Sequence, residues 1–438
     1  MAQPETLPPR RRWRPRRRFF WFLGTGLLAV LLAVTAGFGW FYAAITVPKA
    51  DDNGGPVGAT PLPDRRIHIV IMGHDVEVIH GQRQPTRTDT IMVASFDPLL
   101  REVAILSIPR DTRVRIPGRS GYDKINAAHA YGGPELTVQT VSQFLGVPMD
   151  GYVDVGVEGF QKMVDILGGV DVDVPYNMNY DDPVQDLHIH IPKGRQHLDG
   201  YQAMGFVRER YHDPRGDFGR MDRQHEFIRA MVQKMLQPGS WPHVPQLMVT
   251  LAKYVRTDLD ASTMMKLAEI GREAGADGLV MTTLPTKDLW KNGISYQEAD
   301  AATLKKYVDR YVLGIDPQRN AQVAVRVLNG AGTPGLAASW ADLLRGMGYD
   351  VIQVGNASAA ARGGTVVYAK DPRSVEARVL VRTLSERLPG VQLRPATALD
   401  AADRQMPAPS EGSEAPPWAV TIVLGQDAAG AAGAWSSR

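Results

Sequence analysis

At 438 residues, with 44% hydrophobic and 22% charged side chains, the chain is long enough for more than one domain and has the composition of a folded protein, which excludes wholesale disorder. It has no cysteine, which excludes a disulfide framework. The formal charge of +2 depends on the arginines crowded between Arg10 and Arg18. Without residues 1–18 the balance turns acidic, which argues against a basic nucleic-acid-binding surface.

In chain order, residues 1–18 read as a basic cytoplasmic tail. Phe19 to Val47 carries no charged side chain and is long enough to cross a bilayer with some tilt. The arginines before it place the N-terminus inside and everything after Val47 outside. The run is too long for a signal-peptide core and no clean small-x-small site follows it, so an uncleaved transmembrane helix over 19–47 is expected. Residues 48–63, rich in Gly, Pro and Asp, read as a linker.

A first domain is expected over 64–314. Ile67 to Met72, Thr90 to Phe96 and Val103 to Ile108 are short β-branched runs bounded by Gly, Asp and Pro, and read as buried strands. Asp97-Pro98-Leu99-Leu100 is a hairpin-length turn between the second and third. Helical patterns cover Glu158 to Leu167, Leu198 to Arg208 and Asp222 to Leu236, so a three-layer α-β-α domain with a mixed sheet is expected. Ile315 to Ala321 reads as a second linker. A smaller α/β domain follows over 322–426, with a strand from Gln322, a helix over Leu336 to Met347, strands at Tyr349 to Val354, Thr365 to Tyr368 and Val420 to Leu424, and a Pro/Ser/Glu-rich insert near Met406 to Pro417. The Ala/Gly tail over 427–438 is expected to lack structure.

If the first two strands run antiparallel, the end of the first, the start of the second and the end of the third share one sheet edge, where Asp75, Arg87, Asp89, Arg110 and Asp111 converge. Loop aspartates such as Asp75 and Asp89 are common turn residues, and they are also the hard oxygen ligands that Mg²⁺ takes. Arg208 and Arg210 follow a helix end, and a polar loop, Tyr211 to Gln224, carries Arg215, Arg220 and Arg223. Guanidiniums in such places match phosphate bidentately, although a solvated loop has the same composition.

His188, His190 and His197 alternate without cysteine or an evident carboxylate, a surface pattern more than a zinc site. Gly330 to Gly335 fits G-x-G-x-x-G between strand and helix, yet no acidic residue closes the next strand, so a tight turn is expected. No Gly-x-Ser-x-Gly elbow is present to support a serine hydrolase.

Arg87-Thr-Asp89-Thr, Ser107-Ile-Pro-Arg110-Asp111, Lys124-Ile-Asn126, Leu167-Gly-Gly-Val-Asp171, Leu198-Asp-Gly-Tyr-Gln, Val207-Arg208-Glu-Arg210 and Asp217-Phe-Gly-Arg220 with Arg223-Gln224 occur in one order. Together they resemble the LytR-CpsA-Psr family of cell-wall phosphotransferases over about residues 64–310. Gln322 to about Gln426 resembles the accessory C-terminal domain of many members. The resemblance implies transfer of a glycopolymer from a polyprenyl-pyrophosphate carrier to peptidoglycan outside a single-pass membrane anchor, with release of polyprenyl phosphate. It implies Mg²⁺ on Asp75 and Asp89, and pyrophosphate contacts from Arg87, Arg110, Lys124, Arg208, Arg210, Arg220 and Gln224. Arg110, Arg208 and Arg210 would stabilise the transition state, Asp89 or Asp111 would take the acceptor proton, and an apolar pocket would hold the lipid tail. Glu77 stands where the family usually has arginine in G-x-D-x-R. The competing expectations are a membrane-anchored regulator and a non-catalytic wall-binding scaffold.

Overall fold

The computed structural model describes residues 65–431 apart from 75–76, 80–81, 85–86, 183–186, 211, 244–245, 247–253, 359–362 and 405–417. The expected membrane helix over 19–47 and the linker over 48–63 lie outside the described residues. Among the described residues no helix is long and apolar enough to cross a membrane.

The β-branched runs form the middle of a sheet, each within two residues of its expected bounds: Ile67–His74 (β1), Thr88–Asp97 (β2) and Glu102–Ser107 (β3). β2 runs antiparallel to both neighbours, with Ile71 opposite Met92 and Met92 opposite Ser107, so the three predicted strand ends do share one edge. Gly151–Gly156 (β4) and Leu279–Thr283 (β6) pair in parallel with β1 and β3, and Val255–Thr257 (β5) lies antiparallel to β4. The order is β5-β4-β1-β2-β3-β6, a mixed sheet.

Alternation along the strands sends side chains to two covered faces. Val70, Met72, Ile91, Val93 and Leu106 pack against Ala127–Leu145 (α1) and the turn Val308–Val312. Ile69, Met92, Ala94 and Ile105 pack against Asp217–Leu236 (α4) and Ala261–Ala274 (α5). Each fully buried aliphatic contributes about 1.5–3 kcal/mol of burial, and this makes the three layers. A satellite core joins Val157–Ile166 (α2), Gly200–Arg208 (α3) and two hairpins through Met204, Phe206, Ile189 and Phe227. That lobe walls the site described below.

The second domain carries a five-stranded sheet in the order Asp350–Asn356, Val323–Asn329, Trp418–Leu424, Val366–Ala369, Gln392–Pro395. Its core holds Val325, Val327, Trp340, Leu344, Leu380 and Ile422. Helix Val375–Ser385 and strand Gln392–Pro395 were not predicted. Two expectations need correction. Residues 315–321 are no free linker: Asp316 caps a helical turn, Pro317–Asn320, and Asn320 donates to the Met347 carbonyl at 2.8 Å. The tail expected from 427 starts with a helix, Asp427–Ala431, because Asp427 accepts from Thr365 and the Trp340 indole donates to Ala428.

One buried carboxylate joins the domains. Asp97 accepts from Arg66 Nε at 2.9 Å and from both Arg382 terminal nitrogens at 2.7 and 3.0 Å. It also accepts from the backbone N–H groups of Leu99 and Leu100, closing the hairpin turn. Gly314, at φ 73°, lets the chain pass against the Arg66 guanidinium, where a Cβ would collide. Burial works to raise the Asp97 pKa, but the Arg382 hydrogen bonds and the charge of Arg66 outweigh it and lower it. The stability it contributes is therefore present above the ordinary carboxylate range and is lost as pH falls through the depressed folded value. Asp97→Ala removes the carboxylate that the two buried arginines share and should cost about 3–5 kcal/mol near neutral pH, less on acidification. Guanidinium unfolding of the full chain in detergent measures this, and an unchanged midpoint would refute it.

Candidate active site

Each charged residue reaches the sheet edge for a local reason. After β3, Thr112 donates its N–H and hydroxyl to the Pro109 carbonyl at 2.9 and 2.6 Å, a closed turn. The turn directs Arg110 to the start of β2, where its Nη1 pairs with Asp89 Oδ1. α3 begins with a capping box: Asp199 accepts from Gln202 N–H, and the Gln202 side chain accepts from Asp199 N–H. That start fixes Arg208 in the last turn, where the helix dipole favours a cation, with Glu209 and Arg210 just beyond.

The expected loop to Gln224 is only half loop. α4 starts at Asp217, five residues earlier than the periodicity showed, behind Gly216 at φ 56° and with an acidic residue in its first turn. Arg220 and Gln224, four apart, share the face toward the sheet, while Arg223 turns inward. Arg223 is buried, bonding Asp213, the Glu209 carbonyl and the Phe206 carbonyl. Gly219 is required beside it, since a Cβ there would overlap the Asp213 carboxylate. Arg223 pins the loop and is absent from the cavity lining.

Between the sheet and α2, α3 and α4 lies a cavity of about 330 Å³. Its charged end holds Asp89, Arg110, Arg208, Glu209, Arg210, Arg220 and Gln224, and most of its remaining wall is apolar, with Ile71, Val157, Phe160, Met163, Ile189, Met204 and Phe227. Glu209 is turned into the protein, its carboxylate accepting from His212 N–H at 2.9 Å. Gln224 Nε2 donates to Thr90 Oγ1 and the Val207 carbonyl at 3.3 Å. Arg220 donates to the Asp89 carbonyl at 3.3 Å and pairs with Asp217 at 2.9 Å, yet its Nε is buried without a hydrogen bond, as is that of Arg110, which lies 4.0 Å from Asp217. Burial lowers the Arg220 pKa from the usual arginine value; Asp217 and Asp89 oppose this, while Arg110 and Arg210 reinforce it. The arrangement is a cationic end, partly desolvated, that would gain from an anion.

The predicted residues are gathered selectively. Asp89, Arg110, Arg208, Arg210, Arg220 and Gln224 all line the cavity. Arg87 is exposed and outside the lining. Asp111 pairs with Lys124 at 2.9 Å, and neither lines the cavity, because residue 111 falls on the outer side of the turn that presents Arg110. Asp75 lies outside the described residues. Asp89, with a side chain 39% exposed at the charged end, is an oxygen donor of the kind Mg²⁺ takes, so that side of the implied metal site fits.

A cluster that the sequence did not signal adjoins the cavity. His74, at the end of β1 and in the lining, hydrogen-bonds through Nδ1 to Asp154 Oδ1 at 2.8 Å, and His129 Nε2 lies 3.5 Å from Asp154 Oδ2. Burial would raise the Asp154 pKa, but the bonds and charges of both histidines hold it at about 2. The only sequence trace was a carboxylate inside the apolar run of β4. His188 and His190 do have a carboxylate, Asp181, at 2.6 and 3.3 Å, but all three are exposed on a hairpin. At Gly330 to Gly335 the turn is closed by Asn329, which accepts from Gly332 N–H and donates to the Thr333 carbonyl.

A model of the LytR_cpsA_psr family matches residues 47–311. The chain belongs to this family. Residues 322–427 match a second model, described as LytR cell envelope-related transcriptional attenuator. Among relatives, the polyisoprenyl-teichoic acid–peptidoglycan teichoic acid transferase TagV of Bacillus subtilis is 31% identical over 295 residues, 64% of this chain and 75% of that one. TagU of Bacillus cereus, named for the same transfer, is 36% identical over 219 residues, covering 50% and 69%. The crystal structure of Bacillus subtilis TagV aligns with a TM-score of 0.50 at 31% identity, over 57% of this chain and 97% of that one. The LytR-CpsA-Psr domain is thus the mixed-sheet unit carrying the cavity.

Arg223 and Arg210 stand close in sequence but differ in kind. Arg223→Ala should cost about 3–5 kcal/mol by removing the buried guanidinium that bonds Asp213 and the Glu209 and Phe206 carbonyls. Arg210→Ala should stay within about 1 kcal/mol of the wild type. Thermal unfolding of both variants tests this, and equal losses would place the two arginines in one class.

Proposed function

We propose that this protein moves a glycopolymer from a polyprenyl-pyrophosphate carrier to a hydroxyl of peptidoglycan and releases polyprenyl phosphate. The observation that carries the reading is one cavity with a guanidinium-rich end and an apolar wall, which matches a ligand that is diphosphate at one end and hydrocarbon behind it. The names of TagV and TagU describe such a transfer from a polyisoprenyl-linked polymer and support it.

In the proposed reaction the acceptor oxygen attacks the phosphorus bonded to the polymer. The bond from that phosphorus to the bridging oxygen breaks, and the lipid leaves as its monophosphate. Arg110, Arg208, Arg210 and Arg220 bind the diphosphate oxygens and meet the charge that grows on the leaving group. Gln224 is held by Thr90 and Val207 and can donate its amide to the same oxygens. The acceptor proton goes to Asp89, because Asp89 lines the cavity and Asp111 does not. The apolar wall shields the lipid from water and sets where the diphosphate stops. Mg²⁺ on Asp89 and Asp75 would supply further charge neutralisation. The anchor over 19–47 would hold the site beside the lipid carrier outside the cell, with the N-terminus in the cytoplasm.

The assay is release of polyprenyl phosphate from a purified lipid-linked donor. Arg110→Ala should lower turnover about a hundredfold or more, and wild-type turnover in that variant would remove it from the mechanism. Met163→Trp, filling the apolar wall, should raise KM for a long-chain donor about tenfold while sparing a short-chain one. Equal effects on both donors would show that the wall does not hold the tail.

A further inference from the structure

We infer that His74, His129 and Asp154 form a second cation site, for a divalent first-row transition ion, in the side of the cavity opposite in kind to the carboxylate position of Asp89. The three residues come from three elements: the end of β1, the first turn of α1 and the middle of β4. One ligand atom from each, Nδ1 of His74, Nε2 of His129 and a carboxylate oxygen of Asp154, lie within 4.8 Å of one another. The two imidazole rings stack with centroids 5.0 Å apart, so both present an edge to the same carboxylate.

Burial makes the cluster unusual. Asp154 is 2% exposed and His129 5%. A carboxylate in such a place is costly unless paired, and two stacked imidazoles are costly if both are charged. Two routes satisfy all three groups: protons shared along the His–Asp–His line, or one divalent cation replacing them. The chemistry of the donor set identifies the cation. Two imidazole nitrogens with one carboxylate oxygen suit zinc, cobalt or manganese, whereas Mg²⁺ prefers oxygen alone. Three protein ligands leave a coordination position open, and His74 is the member that lines the cavity, so that position faces the space where an anion would lie. Cation binding at this cluster is independent of the transferase reaction.

The test uses the full chain in detergent, stripped with chelator and titrated with Co²⁺ alone. Expected is one tightly bound equivalent with visible ligand-field absorption. His129→Ala should weaken binding at least about tenfold and remove the absorption, while Asp89→Asn keeps both. Should His129→Ala fail to fold, His74→Gln, at the strand end and half-buried, answers the same question by the same spectrum. Absence of a band in the wild type, or a band that survives either histidine change, would leave only a proton-shared structural triad. A band lost in Asp89→Asn but kept in the histidine variants would place the ion at the oxygen site and equally overturn the proposal.

Discussion

Crowding guanidiniums at the end of an apolar cavity is the constraint on which this structure turns. Each cation loses water on approaching the cavity, and each repels the others. Arg220 shows both effects, with its pKa lowered by burial and by Arg110 and Arg210 despite two nearby carboxylates. The remedy is partial by construction. Asp89 takes one nitrogen of Arg110 and Asp217 takes Arg220, while an Nε of each arginine stays buried and unbonded. Donors held in place before a ligand arrives cost no reorganisation when charge develops, which is the physical basis of electrostatic catalysis.

Holding such a cluster requires a stiff frame, and the frame explains features that look unrelated to chemistry. The capping box at Asp199 decides where α3 ends, and so where Arg208 lies. Arg223 and Gly219 tie the connection between α3 and α4 to Asp213 and to two backbone carbonyls. Asp97 fastens the far end of β2 to the second domain, so the strand that starts at the site ends in a buried ion cluster. Both ends of β2 are thus held by arginine–aspartate bonds.

The central strands and the gathering of Asp89 with Arg110 were legible in the sequence, because β-branched runs and short turns act locally, whereas α1 and α5, which cover the two faces of the sheet, were not named. Arg208 and Arg210 were legible because a helix end fixes them. The start of α4 was hidden because Asp217 to Gln224 is mostly polar, with Arg220 and Gln224 lining the cavity and Arg223 a buried pin, so Phe218 and Met221 alone carry its apolar signal. Asp111 and Lys124 were misplaced for a different reason. Neighbours in a turn point in different directions, and a sequence gives proximity without orientation. The His74, His129 and Asp154 cluster had no local signal, since its members meet only through the parallel pairing of β1 with β4 and the packing of α1.

The two parts of the cavity cannot contribute equally to selectivity. An apolar wall built from Met163, Met204, Phe160 and Ile189 separates ligands by about 1–3 kcal/mol per methylene, and methionine readjusts to irregular shapes. Buried charged donors discriminate far more sharply, because a ligand lacking phosphate oxygens would leave them unpaired. A site of this build selects strictly for the diphosphate and loosely for the chain behind it.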